Sequence, residues 1–485
     1  MATISSAGIG SGIDVNAIVT QLMAIEQRPL TRLQSSAAFI DAKISAFGQI
    51  KSALSALSDV ATRLANKASW SPKTVTSSNS TAVAASVSNG AQLGPTSFSV
   101  EVQQLAKPQS IASASIATGT ATGTGTLTLR FGSWEAGAFT PDGGSSPLAI
   151  AIGAADATVA GVAEKINAAK AGVTATVISD ANGERLLLRS KSTGKESGFR
   201  LQATDDDGNN TDDTGLSRLA FDPEAGAFGM GGVAQAATTQ YGQDAKATIN
   251  GIAVSSSSNK LSTTVPGLTL TLAQVTTAAV DLQVAVDEGA ITKLANEFVT
   301  SFNAANQLLN QATSYDAANK QAALLQGDST AVSLQNALRR LLGTRSEGGP
   351  LASLSEIGIG TARDAGGNIA LDSGKLSAAL RNPADLETLF TFDTGNAATS
   401  GFGRKLQGLL ATLSGNGGAL DSKTTSLDAQ MKSNVKDQER MSLRLTSVEA
   451  RLRKQYTSLD SQVSKLTALN TYITQQVAQW NKSTG

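Results

Sequence analysis

The chain has 485 residues, with 39 Lys plus Arg balanced by 39 Asp plus Glu, 16% charged and 4% aromatic residues, and neither cysteine nor histidine. That composition excludes disulfides, iron–sulfur clusters, Cys/His zinc sites and nucleophile systems that need an imidazole base. Zero formal net charge with a pI near 6.5 is a poor match to nucleic acid or an anionic membrane, and few aromatics leave little for stacking platforms.

At about 150 residues per domain the length suggests roughly three domains. No apolar run reaches the roughly 18 residues of a membrane span. The first residues carry no positive n-region and no apolar h-region, so a Sec-type signal peptide is not expected. Ser5 to Gly12 is small and glycine-rich. Gly8, Gly10 and Gly12 resemble a phosphate loop at first sight, but no strand precedes them and the third glycine is misplaced, so they read as a flexible leader. Asp14 then caps an amphipathic stretch bearing Val15, Ile18, Val19, Leu22 and Ile25.

After Pro29 the apolar residues Leu33, Ala37, Ile40, Ile44, Phe47, Ile50, Leu54, Leu57, Ala61 and Leu64 step by 4, 3, 4, 3, 3, 4, 3, 4 and 3. This is a heptad seam with one stammer at Phe47–Ile50. Trp70-Ser71-Pro72 closes the segment.

From about 75 to 287 the period becomes two. Phe98, Val100 and Val102 alternate with polar residues, as do Leu127, Leu129 and Phe131, then Val173, Ala175 and Val177, then Leu186 and Leu188. Asp180 to Glu184 reads as a hairpin loop, and Asn250-Gly251 as another. Leu268, Leu270 and Leu272, then Leu282, Val284 and Val286, continue the alternation, and a short helix over Thr158–Ala169 interrupts it. The tract 205–233 is rich in Gly and Asp and reads as loop. Its Asp205, Asp206, Asp207, Asp212 and Asp213 are candidate calcium ligands, but the EF-hand glycine is out of register, which favours a solvated acidic loop. Gly194-Lys195 lacks the upstream glycine of a P-loop.

From Glu288 the helical period returns, with Ile291, Leu294, Phe298, Phe302, Ala305 and Leu309 on one face and further helices over Ser329–Leu342, Lys375–Leu380 and Pro383–Phe390. No Pro or Gly occurs from Asp421 to Thr484. There Met441, Leu445, Val448, Leu452, Tyr456, Leu459, Val463, Leu466, Asn470, Ile473, Val477 and Trp480 form a second seam with a stutter at Leu452–Tyr456. A helix of about 60 residues would be about 90 Å long. The fold class is therefore α+β: long terminal helices forming a coiled-coil leg, a helical domain, and two inserted antiparallel β domains. Paired carboxylates are the remaining acid/base option, and nothing holds two of them at a defined separation; no catalytic residue, cofactor site or metal site is assigned.

Gly10-Ser11-Gly12-Ile13-Asp14-Val15-Asn16-Ala17-Ile18-Val19, with Gln21-Leu22-Met23 and Glu26-Gln27-Arg28-Pro29-Leu30, resembles the N-terminus of the bacterial flagellar filament cap family, also called flagellar hook-associated protein 2. Phe98 to Ala106 resembles its first β segment, and Thr158 to Ser192, with Ile166-Asn167, its IN motif. Ile249-Asn250-Gly251, Ser258-Asn259 and Pro266 to Leu270 resemble the second β segment; Gln326 to Thr330, Glu356 to Ile359, Leu371-Asp372 and Lys375-Leu376 resemble the helical domain.

The resemblance implies seven segments: leader and leg helix 1–40, helical domain 41–74, β domain 75–115, outer β domain with the IN motif 116–236, β domain 237–287, helical domain 288–425 and coiled-coil leg 426–485. It implies a homo-oligomeric ring at the distal tip of the flagellum, a pentamer being one reading of its subunit number, under which flagellin is inserted and polymerised. Other implied partners are the hook–filament junction proteins, a cytosolic export chaperone at the C-terminus and, in some members, host mucin. Export would follow the flagellar type III pathway, with no enzymatic activity, no nucleic acid and no membrane insertion. The coiled-coil interface residues are expected to be Leu33, Ile40, Ile44, Phe47, Leu54, Leu445, Val448, Leu452, Leu459, Val463, Leu466, Ile473 and Val477. A flagellin-like or junction protein, or a surface adhesin whose coiled coil is a stalk, are the alternatives.

Overall fold

The computed structural model describes residues 14–226, 229–230, 238–363, 366–396 and 399–483. The glycine-rich leader, the motif residues before Asp14 and part of the 205–240 tract lie outside the described residues. The chain divides into two compact units, Met1–Trp70 with Glu288–Gly485, and Ser71–Asp287.

The first unit opens with α1 (Val15–Glu26), whose Asp14 cap accepts a hydrogen bond from the Ala17 N–H at 2.9 Å. Gln27 separates it from α2 (Arg28–Leu64), which begins with Pro29 in its first turn, where proline's missing N–H costs nothing. Gly48 does not interrupt α2.

The second unit is antiparallel throughout. Its strands are β1 (Lys73–Ser77), β2 (Val83–Val87), β3 (Thr96–Gln104), β4 (Ser110–Ala112), β5 (Gly125–Glu135), β6 (Ala138–Pro141) and β7 (Leu148–Ile152). After helix α3 (Val159–Ala168) come β8 (Val173–Asp180), β9 (Gly183–Ser190), β10 (Gly198–Asp205), β11 (Ala245–Ile249), β12 (Ile252–Ser256), β13 (Lys260–Leu261), β14 (Leu268–Leu272) and β15 (Val280–Val286). A five-stranded sheet in the order β1-β15-β3-β11-β12 and a three-stranded sheet β13-β14-β2 share one core containing Val100, Val102, Leu268, Leu270 and Leu282. A second core, containing Leu127, Leu129, Val162, Ile166, Leu186, Leu188 and Phe199, joins α3 to the sheet β10-β5-β6, with β7 also on β5, and to the sheet β4-β9-β8. Both anticipated hairpins are present. Asn250 at φ 51° and Gly251 at φ 81° make the β11–β12 turn, a geometry that favours Asn-Gly.

The acidic tract is not simply solvated. Leu216, Leu219, Ala220 and Phe221 are buried in the second core, so the low apolar density of this tract hides a packed strap. Its carboxylates are used locally. Asp205 Oδ2 accepts from the Ser217 N–H at 2.8 Å, Asp207 from the Asn209 N–H at 2.9 Å, and Asp206 from the Thr124 hydroxyl at 2.7 Å. The hydroxyls of Ser217 and Thr214 hold Asp212 below the usual carboxylate range. Among the described residues no group of three acids is arranged to hold a metal ion.

The chain then returns to the first unit through α4 (Glu288–Thr313), the hairpin β16 (Tyr315–Asp316) and β17 (Gln321–Ala322), and α5 (Ser329–Leu342). The hairpin β18 (Ile359–Thr361) and β19 (Ile369–Leu371), α6 (Ser373–Ala379), α7 (Pro383–Thr391), α8 (Phe402–Ser414) and α9 (Ala419–Ser483) complete it. Phe298 and Phe302 of α4 are fully buried, and α2 packs against α4, α8 and α9. Trp70 stacks on Phe390 with ring centroids 4.2 Å apart and donates its indole N–H to the Leu64 carbonyl at 2.8 Å, fastening the end of α2 to α7. Such an aromatic pair adds about 0.5–1.5 kcal/mol beyond its buried area.

Candidate interaction site on the terminal helices

The 65 residues of α9 run about 98 Å at 1.5 Å per residue. Its apolar seam meets three different environments. Near its start, Leu420 and Leu427 are buried in the helical core. Further along, Leu445 and Val448 pack on Val15, Val19 and Met23 of α1, with Leu30, Met441, Leu452 and Tyr456 flanking them. Val15, Val19 and Met23 recur every four residues, which places them on one face of α1. Arg453 ties the helices together, donating to Asn16 Oδ1 at 3.0 Å while paired with Glu449 at 2.9 Å.

Beyond Tyr456 the cover ends. Leu459 is 46% exposed, Leu466 63%, Ile473 50%, Val477 49% and Trp480 77%. Leu469 and Tyr472 are also exposed and widen the stripe. Sequence reading passed over these two because it followed the strict heptad through Asn470; the three-residue step from Leu466 to Leu469 was the available signal. From 457 to 483, about 40 Å of helix, the only charged residues are Asp460, Lys465 and Lys482. A solvent-facing helix ordinarily carries more charge. Full burial of one large apolar side chain is worth about 1.5–3 kcal/mol, so this stripe holds several kcal/mol for a partner.

The expected interface residues thus separate by position. Phe47 and Leu54, at 1% and 0% exposure, lie inside the subunit against its own helices and are closed to a neighbour. Ile40 is buried, and Leu33 and Ile44 are half-buried. Leu445, Val448 and Leu452 form the intrachain seam with α1. Val463 is half-buried, and Leu459, Leu466, Ile473 and Val477 face outward. The stammer at Phe47–Ile50 falls inside the helical core, and the stutter at Leu452–Tyr456 falls where the intrachain seam ends.

The groups with shifted pKa values are tied to local structure. Arg185, through its hydrogen bond to the carboxylate, and the Asn182 N–H hold Asp180 low, and Asn319 does the same for Asp316. Burial pushes Tyr241 up. The geometry of the terminal helices is suited to binding another helix.

Comparison with known proteins agrees in extent as well as kind. The family models described as flagellar hook-associated protein 2 N-terminus and C-terminus match residues 11–109 and 242–468, and the flagellin hook IN motif matches 140–192. The flagellar hook-associated protein 2 of Escherichia coli K12 is 30% identical over 490 residues, covering 98% of both chains. The B-type flagellar hook-associated protein 2 of Pseudomonas aeruginosa PAO1 is 29% identical, covering 98% of this chain and 97% of its own. The crystal structure of the D1-D2-D3 domains of the flagellar cap protein FliD from Escherichia coli matches with a TM-score of 0.59 at 27% identity, covering 79% of this chain and 99% of that one.

Proposed function

The chain belongs to the flagellar hook-associated protein 2 family, and from that premise we propose that it is a filament cap. In this reading it is a non-enzymatic assembly protein outside the cell, at the distal tip of a bacterial flagellum, where it promotes the addition of exported flagellin. Its similarity to a chain described as a flagellar cap protein supports the reading. The observation that carries it is the outward stripe of α9 from Leu459 to Trp480, which one subunit leaves uncovered.

Copies of the chain arranged head to tail around a closed ring would bring these stripes together. The polar Asn470 and the phase break at Tyr456 would weaken any single register of pairing, so the legs could release and rebind as subunits are added beneath them. Flagellin and the junction proteins would meet the ring from the filament side. A cytosolic chaperone would cover the same C-terminal stripe before export through the flagellar type III channel.

The test is the full chain carrying Leu459→Asp and Val463→Asp, returned to a strain that lacks its own cap protein. We expect no swimming and unpolymerised flagellin in the medium, with the unfolding of the Ser71–Asp287 unit unchanged. Normal swimming would overturn the reading.

A further inference from the structure

Away from the terminal seam, α5 and α8 leave an open groove of about 710 Å³ between them. Ala337, Arg340 and Leu341 line it from the last turns of α5, and Thr344 from just past its end. Lys405, Gly408, Leu409 and Thr412 line it from α8. The α8 residues are spaced i, i+3, i+4, i+7, one stripe along that helix, and Ala337, Arg340 and Leu341, at i, i+3 and i+4, make a shorter stripe at the end of α5. Two such stripes side by side form the seat into which a third helix packs. The floor suits close approach: Ala337 is small, and a Cβ added at Gly408 would meet nothing within 4 Å.

The groove also carries positive charge with no direct ion-pair partner among the described residues. Lys405 is 8% exposed, and its ammonium donates to the Arg345 carbonyl. Arg340 stands exposed on the rim. Among the described residues neither cation has a carboxylate within the 4.0 Å of an ion pair; the nearby Arg345 pairs with Glu356 instead. Burial lowers the Lys405 pKa, opposed by the more distant Glu347. A largely buried lysine with its nearest acid beyond ion-pair distance is only partly compensated, and an entering acid in direct contact relieves it.

The chain's own spare amphipathic segment does not match. Residues 457–483 carry Lys465 and Lys482 against the single acid Asp460, so their charge has the same sign as the groove. We propose that the α5–α8 groove is the docking site for an acidic amphipathic helix of another protein. Its carboxylate pairs with Lys405 and Arg340, and its aliphatic side chains fill the space over Leu341, Leu409 and Gly408. This interaction is separate from the ring contacts of α9 and does not depend on the cap reading.

The probe is a labelled synthetic helix of about 14 residues, roughly 21 Å, with leucines at i, i+4 and i+7 around a central glutamate. Its binding to the full chain is followed by fluorescence polarisation. Lys405→Met should weaken it about 30-fold, as loss of one partner of a buried charge pair does. Gly408→Leu fills the groove and should abolish it. Arg340→Glu, an exposed charge reversal that leaves the fold intact, should weaken the glutamate peptide and favour the same peptide with a central lysine. Equal affinity of the wild-type chain for the two peptides would overturn the proposal, as would undiminished binding to Gly408→Leu. Absence of peptide binding together with loss of self-association in Gly408→Leu would overturn it too, by making the groove a contact between copies of this chain.

Discussion

Four amide side chains take the place of neighbouring strands. Asn167, Asn259, Asn303 and Gln109 each bond both the N–H and the carbonyl of a single residue, respectively Ala175, Ala106, Ile369 and Phe199, at 2.7 to 2.9 Å. Asn259 reaches Ala106 across 153 residues of sequence. An amide is the one side-chain group that offers a donor and an acceptor side by side, which is the demand made by an unpaired peptide unit in a core. Asn259→Asp keeps the acceptor for the Ala106 N–H but sets a charged oxygen against the Ala106 carbonyl. The Ser71–Asp287 unit should lose about 1–3 kcal/mol, read as an earlier urea midpoint, and an unmoved midpoint would count against the clamp. Asn167 and Asn259 are among the residues that marked the family resemblance. Their spacing was visible in the chain, but their partners, fixed only by folding, were not.

At the scale of elements, the base of α9 is held by a carboxylate that also caps α5. Asp328 Oδ1 accepts from the N–H of Thr330 at 3.0 Å, and its Oδ2 pairs with Lys423 of α9 at 2.8 Å. Burial pushes its pKa up, but the Lys423 ammonium and the N–H groups of Ala331 and Thr330 outweigh that, and the net shift is downward. A carboxylate depressed on folding contributes stability above its unfolded pKa of about 3.9, and loses it as pH falls through the lower folded value. Asp328→Asn keeps a good N-cap and removes the charge. It should flatten the acid limb below about pH 4, seen as pH-independent amide-exchange protection at Thr330 and Ala331; an unchanged acid limb would dissociate the pair from stability. The helix over Ser329–Leu342 was legible from its apolar period, whereas the double role of Asp328, as its cap and as the partner of Lys423 in a distant segment, was not. The same limit explains the elements that went unread. Phe199, Leu201 and Ala203 alternate as a strand should, but the short run sits beside an acid-rich tract that masks it. The sequence of helix α8 carries two poor helix formers, Gly403 and Gly408, and Gly403 is where the helix touches the Leu64–Ala65 backbone, leaving no room for a Cβ. The seam of α2 was plain as a stripe. Periodicity reports that a face is apolar, but whether α4, α8 and α9 of the same chain or a neighbour will cover it is decided by chain topology.

At the scale of the molecule, the chain sends a β unit out from the end of α2 and returns through α4, so both terminal segments belong to the helical unit. Within that unit α9 changes character along its length. Up to Tyr456 it is fastened by α1, by Arg453 to Asn16 and by the core around α2. From 457 to 483 it carries three charged residues and a run of exposed Leu, Ile, Val and Trp side chains amid Ser, Thr, Asn and Gln. Ser, Thr and Asn are poorer helix formers than Ala or Leu, and most helical stability in proteins comes from packing an apolar face. The distal segment should therefore hold its helix weakly in a lone subunit and firmly once its stripe is covered. Amide exchange separates the two states: in dilute, monomeric protein the amides of 457–483 should exchange far faster than those of Leu445–Tyr456, and protection should rise with protein concentration as subunits associate. Leu459→Asp with Val463→Asp should abolish that rise and leave the protection of Leu445–Tyr456 intact, because Leu445 and Val448 are covered within the subunit. Protection of 457–483 that is high at every concentration would mean that the outward stripe is stable alone, and that assembly has no ordering energy to draw from it.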